Sequence, residues 1–180
     1  MACRLLAIIM TAGLAGVTTP SLAQESCHNY GTQFGDFRIC ASSVLAPQGS
    51  NHYGPEHLNG TTDGGAWCEG VAGPGAGQSV TFHQNPANVV GKVMVTNGYA
   101  RTEQTFRDNG RVKRARIETS GGAKKEIVLK DQRAPQTISF SPSRVSWIRL
   151  TILDVYPGAR HQDTCISLFS PDIEGFAVGN

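Results

Sequence analysis

The feature that most narrows what this chain can fold into is a two-residue alternation of apolar and polar side chains, in short runs with no sustained helical period between them. The runs are Ser79 to His83, Val89 to Asn97, Val112 to Thr119, Lys125 to Lys130, Gln136 to Phe140, Val145 to Val155 and Cys165 to Phe169. Successive side chains of a strand point to opposite faces, so a period of two marks strands with one buried face. Glycine, at 21 residues, and frequent proline and asparagine punctuate the runs, as turns between short strands require. Ser120-Gly121-Gly122-Ala123 reads as a hairpin turn, because glycine supplies the positive φ of the primed turns. Tyr99 to Gly110 has room for one turn of helix in a loop. Seven or eight strands without intervening helices specify two packed antiparallel sheets, an all-β sandwich or jelly roll. One run is irregular: Val112, Arg114, Arg116 and Glu118 alternate with Lys113, Ala115, Ile117 and Thr119, which suits an edge or site-bordering strand.

The first residues carry one charge at Arg4, an apolar run from Leu5 to Val17 and then Ser21-Leu22-Ala23 in a small-x-small pattern. This is the form of a secretory signal peptide, residues 1–23, cut after Ala23. The run is shorter than the roughly 20 residues of a membrane span, and Thr11, Gly13 and Gly16 interrupt it. Cys3 precedes the run, so lipid attachment at a cleavage-site cysteine is not indicated. Cleavage leaves 157 of the 180 residues, enough for one domain with a proper core. Of the 16 basic residues Arg4 departs, leaving 15 against 14 acidic ones. A formal charge of +1 is no footprint for nucleic acid, which calls for a strongly basic face. The expected product is secreted or periplasmic, with no membrane span.

Cys27, Cys40, Cys68 and Cys165 remain after cleavage, an even number in a chain bound for an oxidising compartment. Two disulfides are expected, and of the three pairings we favour Cys27 with Cys40 and Cys68 with Cys165. A zinc site is disfavoured, because no CxxC or HxxxH spacing is present. Residues 24–36 are polar and glycine-bearing and read as an N-terminal arm stapled by the first bridge; the domain proper runs from 37 to 169, and 170–180 form a tail.

No GxSxG, HExxH, phosphate-binding glycine loop or dinucleotide fingerprint occurs. Glu69, Asp154 and Asp163 are carboxylates that a glycan-acting hydrolase would need to pair, but nothing in their spacing demands a pair. His28, His52, His57, His83 and His161 lie mostly in polar loops without ligand-like spacing. The run Arg107, Arg111, Lys113, Arg114 and Arg116 is the one local excess of charge. It is either a solvated strand face or a contact for an acidic glycan, since arginine forks onto carboxylates and sulfates.

A series of short motifs then follows in a fixed order: Ala41-Ser42-Ser43, Tyr53-Gly54-Pro55-Glu56, Asn59-Gly60, Ala66-Trp67-Cys68-Glu69-Gly70, Asn97-Gly98-Tyr99, Phe106 to Lys113, Leu150 to Gly158 and Asp163 to Ser167. Over residues 38 to 169 the chain resembles the NADase-type glycan-binding domain, also called the NAD glycohydrolase translocation domain. That family belongs with the discoidin-like, coagulation factor 5/8 C-type domains of the galactose-binding fold. The resemblance is to a non-catalytic module, so it implies a jelly-roll β-sandwich that binds a glycan through loops at one end, with no NAD-cleaving activity. It implies a glycan site near Glu69, Asn97, Tyr99, Asn109, Arg111 and Tyr156, with Trp67 as a contributor or a core anchor. Arg111 has a rival role as a salt-bridge partner of Glu69 or Asp154. An envelope adaptor binding a protein partner through the same loops is the remaining alternative. Many relatives also hold a structural calcium ion with an Asp-Gly pair and an acidic residue on the last strand. Here Asn59-Gly60 stands at the first position and Leu168 at the second, with Asp63 as a substitute ligand, so calcium is disfavoured and no cofactor is expected.

Overall fold

The computed structural model describes residues 25–32, 35–60 and 64–172; the expected signal peptide with its cleavage site, Asp63 and the tail beyond Asp172 lie outside the described residues. Among the described residues there are eight strands: β1 (Ser26–Thr32), β2 (Gly35–Ala41), β3 (Trp67–Cys68), β4 (Ser79–Asn97), β5 (Gly110–Thr119), β6 (Lys124–Val128), β7 (Gln136–Tyr156) and β8 (Thr164–Pro171). A single-turn helix α1 (Glu103–Asp108) and a 3-10 turn at Pro55–Asn59 lie in the connections.

The two longest strands build both layers. Each joins two runs that the sequence presents separately. The first half of β4 lies between β2 and the second half of β7, with Phe82 opposite Ile39 and Ile148. Its second half lies between the first half of β7 and β8, with Val95 opposite Gln136 and Phe169. Register shifts between His83 and Asn88, and between Val90 and Lys92, mark where β4 bends from one layer into the other. Pro86 falls in the first irregular stretch, where its missing N–H costs the ladder nothing. β5 completes the arrangement against β7 and, in parallel over two residues, β8. β4, β7, β5 and β8 thus form a closed circuit, as a jelly-roll sandwich requires.

The core fills the space between the layers. Ile148, Leu150 and Ile152 of β7 alternate inward and are fully buried, packed with Ile39, Trp67, Val80, Val93, Val95, Ile117, Ile166 and Phe169. The irregular pattern of β5 has a simple origin. Register shifts on both sides of Arg114 insert a bulge, so Val112 and Ala115, three residues apart, both point into the core. The expected hairpin at residues 120–123 joins β5 to β6, with Gly122 at φ 86° and its N–H donating to the Thr119 carbonyl.

Part of the segment read as a polar arm is β1, paired residue for residue with β2 from Ser26 opposite Ala41 to Thr32 opposite Gly35. Backbone hydrogen bonds hold such an edge strand whatever its side chains, and most of those described are exposed, hence their polarity. Both favoured disulfides form, each between residues directly opposite on neighbouring strands: Cys27 with Cys40 and Cys68 with Cys165. At the other end of the chain, Ser170 and Pro171, assigned from sequence to the tail, continue β8 beside β4.

Candidate functional site

The strand ends at Asn97, Gly110, Tyr156 and Thr164 share one end of the sandwich, and the loops there enclose a cavity of about 210 Å³. Three segments line it. The β2–β3 connection brings Leu45, Gln48, Asn51 and Tyr53; the segment around α1 brings Tyr99, Arg101, Thr105, Asp108 and Asn109; the β7–β8 connection brings His161 and Asp163.

Each segment is shaped by local chemistry. Gln48 and Asn51 exchange two backbone hydrogen bonds of 3.1 Å across a tight turn whose Gly49 sits at φ 61°, a left-handed conformation that favours glycine. α1 begins with a reciprocal cap, in which the Thr102 hydroxyl accepts from the Thr105 N–H and the Thr105 hydroxyl accepts from the Thr102 N–H, both at 3.0 Å. The Asn109 amide donates to the Thr105 carbonyl at 2.8 Å and closes the helix. In the third segment the N–H groups of Arg160 and His161 donate to the Asp108 carbonyl, tying it to α1.

The cavity presents two aromatic rings and a mixed set of polar groups. Tyr53 and Tyr99 meet edge to face with centroids 6.3 Å apart. Burial, then the neighbouring Tyr99, raises the Tyr53 phenol above its ordinary 10.0, with Asp163 adding to the effect, so at neutral pH it carries its proton. Asp108 accepts from Gln104 at 2.7 Å and lies 3.7 Å from Arg160. Arg101 and Asp163 make no side-chain hydrogen bond or ion pair among the described residues.

Of the residues expected from sequence, Tyr99 and Asn109 line this cavity. Three others are interior. Trp67 is fully buried with its indole N–H donating to the Ser43 carbonyl at 2.8 Å, and is a core anchor that no ligand reaches. Asn97 is also fully buried: its amide donates to the Val112 carbonyl at 2.7 Å and accepts from the Val112 N–H at 2.9 Å, which clamps β4 to β5. Glu69 is fully buried too, each oxygen accepting a backbone N–H, from Thr164 at 3.1 Å and Val71 at 2.9 Å. Burial nevertheless outweighs these bonds and raises its carboxyl above the ordinary 4.5, with Asp163 adding to the effect.

Arg111 and Tyr156 sit opposite each other at the ends of β5 and β7, outside the cavity lining. Arg111 forks onto Asp131 at 3.0 and 2.9 Å, in place of the expected Glu69 or Asp154, and its remaining nitrogen donates to the Asn109 and Pro157 carbonyls. Its guanidinium also lies 5.4 Å from the Phe106 ring centroid. The Tyr156 hydroxyl donates to the Leu129 carbonyl at 3.1 Å.

The basic run is likewise engaged: Arg114 and Arg116 meet Glu126, Lys113 meets Asp154, and Arg107 meets Glu103. Lys113 and the Val155 N–H hold Asp154 below the usual carboxylate range. Strand register places Glu126 opposite Arg116 and Asp154 opposite Arg114, so the bases of β5 each have an acidic side chain within reach. The residues present do not fit the calcium site of many relatives. Leu168, at the acidic position, is a buried apolar side chain, and Asp63 is outside the described residues. Among the described residues the one close group of three metal-ligand side chains is Glu25, Cys27 and Cys40, whose sulfurs are joined to each other.

Most of the lining escaped sequence reading. Gln48, Asn51 and Arg101 stand in polar stretches without periodicity, and only the adjoining glycine turns and the motifs that hold Tyr53, Tyr99, Asp108, Asn109 and Asp163 hinted at a loop cluster.

No curated protein matches the chain. Solved structures similar in fold include CpGH89CBM32-5 from Clostridium perfringens, in complex with GalNAc-β-1,3-galactose, at 13% identity and a TM-score of 0.57, covering 75% of this chain and 94% of that one. The family 32 carbohydrate-binding module of C. perfringens NanJ, in complex with galactose, matches at 19% identity and 0.56, covering 75% and 92%. The family 32 module of Streptococcus pneumoniae EndoD matches at 17% and 0.54, covering 74% and 94%. Residues 30–170 match the family described as the NAD glycohydrolase translocation F5/8 type C domain, and with most of its length matched the chain belongs to that family.

Proposed function

We propose that this domain binds a carbohydrate in the cavity between the 45–53, 99–109 and 161–163 segments, without a chemical step. The observation that carries the reading is the convergence there of two tyrosine rings with amide, carboxylate and guanidinium groups at the end of a rigid sandwich. A sugar ring offers a C–H face to an aromatic surface and hydroxyls to planar polar groups, and this lining has both. At about 210 Å³ the cavity is smaller than the roughly 300–1,000 Å³ of drug-sized ligand pockets, which suits a terminal sugar more than a long chain segment. The sugars held by the similar Clostridium modules support the same reading. Hydrolysis by Glu69, Asp154 and Asp163 is disfavoured, because both Glu69 oxygens are occupied inside the protein and Asp154 is paired outside the cavity. The signal-peptide-like pattern ending at Ala23 and the two cross-strand bridges support a secreted or periplasmic location.

The test is a glycan array on the oxidised protein, followed by titration of the best glycan. Arg101→Ala and Asp163→Asn, which break no side-chain hydrogen bond or ion pair among the described residues, should each weaken binding by about 1–3 kcal/mol, roughly five-fold to more than a hundred-fold. Tyr156→Phe should leave affinity unchanged. A blank array, or unchanged affinity in both cavity variants, overturns the proposal.

A further inference from the structure

The Cys68–Cys165 bridge lies beneath the cavity, and the segments that line it are fastened to these two residues. Cys68 and Cys165 are fully buried and form a cluster of their own with Tyr53, Ala66 and Tyr99, separate from the main core. Their peptide groups hold the cavity segments as well. The Leu45 N–H donates to the Cys68 carbonyl at 2.9 Å and the Cys68 N–H to the Tyr53 carbonyl at 3.1 Å, which pins both sides of the turn carrying Gln48 and Asn51. The Gly98 N–H donates to the Cys165 carbonyl at 3.0 Å, fixing the backbone next to Tyr99. Asp163 precedes Cys165 by two residues. Apart from the bridge, β3 is a strand of only two residues, paired with β8 at Trp67 and Cys68. Cys27 and Cys40 are different, since they join strands already paired over seven positions and line no part of the cavity.

We infer that the Cys68–Cys165 disulfide is a positioning element of the binding site, which holds the Tyr53 and Tyr99 rings in register, whereas Cys27–Cys40 has no part in binding. The inference rests on the carbohydrate reading of the cavity. It also makes a binding-competent cavity a property of the oxidised chain. The gap left by the two bridging sulfurs among packed rings is not refilled without movement, because protein interiors are close-packed.

The experiment compares three double variants with the oxidised parent: Cys68→Ala/Cys165→Ala, Cys68→Val/Cys165→Ala and Cys27→Ala/Cys40→Ala. Circular dichroism reads the fold, nuclear Overhauser contacts between the Tyr53 and Tyr99 rings read the cavity, and titration with the array-selected glycan reads function. Both variants lacking Cys68–Cys165 should keep the sandwich, lose or shift the ring contacts and bind about tenfold or more weakly. The Cys27/Cys40 variant should stay within about twofold of the parent. Unchanged ring contacts and affinity without Cys68–Cys165 would overturn the inference, and so would unfolding of both variants, which would assign the bridge to global stability. If no glycan binds the parent, the carbohydrate reading fails on its own, and the ring contacts still decide whether the bridge positions the cavity.

Discussion

Glu69 shows how a single residue is assigned by its surroundings. A glutamate beside a tryptophan in a loop motif invites a ligand-binding role, yet both oxygens accept backbone N–H groups of the protein itself. Its raised carboxyl pKa makes a signed prediction. Between the ordinary carboxylate pKa and the raised folded value, the native state holds more proton than the unfolded chain. Stability from this group is therefore fully present in acid and is lost as the pH rises through that window. Glu69→Gln has no proton to lose, and its amide turns a donor toward a backbone donor, at a cost of about 1–3 kcal/mol. Urea unfolding across the window should show the variant's deficit largest in acid and shrinking as the pH rises. A deficit that grows with pH would contradict the assignment. Asn97→Ala tests the other buried polar group: it leaves the Val112 N–H and carbonyl without their partner, and a loss of about 2–3 kcal/mol is expected from denaturant midpoints.

Among the elements, the one-turn helix α1 depends on its cap more than on its length. Six residues cannot hold a helix through propensity alone, so the Thr102–Thr105 reciprocal bonds and the buried Phe106 contact define it. Thr102→Ala should cost about 1 kcal/mol, read from thermal or urea unfolding, and should weaken glycan binding because Thr105 and Asp108 line the cavity. Gly98 is a second control point. Its φ is 71°, and a Cβ there would meet the Arg111 Cγ at 2.6 Å and the Phe106 ring at 2.8 Å. Gly98→Ala should therefore destabilise by more than the roughly 1 kcal/mol of an ordinary left-handed penalty. A neutral Gly98→Ala in the same unfolding assay would refute that close packing.

For the molecule as a whole, the two bridges stabilise unequally. They close loops of 13 and 97 residues, which on the chain-entropy model stabilise by about 3 and about 5 kcal/mol. Removing Cys68–Cys165 should lower the urea midpoint more than removing Cys27–Cys40; the reverse order would point to residual structure in the unfolded chain. The long bridge also joins β3 to β8 at the end where the cavity lies, so stability and site geometry depend on the same bond.

The sequence by itself determined the fold class, because a two-residue period, glycine turns and the lack of helical stretches leave a sandwich as the way to bury the strands' apolar faces. It determined the even set of cysteines and, through its ordered motifs, the family resemblance. Tertiary structure alone decided which side chains face the cavity. Glu69 and Asn97 look like ligand contacts in one dimension but are turned inward, onto backbone groups of Thr164, Val71 and Val112, and Trp67, which the sequence leaves as contributor or core anchor, is turned inward onto the Ser43 carbonyl. Arg111, for which the sequence offers Glu69 or Asp154 as a salt-bridge partner, is held in the fold by Asp131, twenty residues away in the chain. The merging of runs into β4 and β7 was hidden for the same reason, since a strand continues through a bulge only if neighbouring strands supply partners on both sides. Periodicity records which face of a strand is buried; which loop residues converge depends on where distant strands end, and no local pattern encodes that.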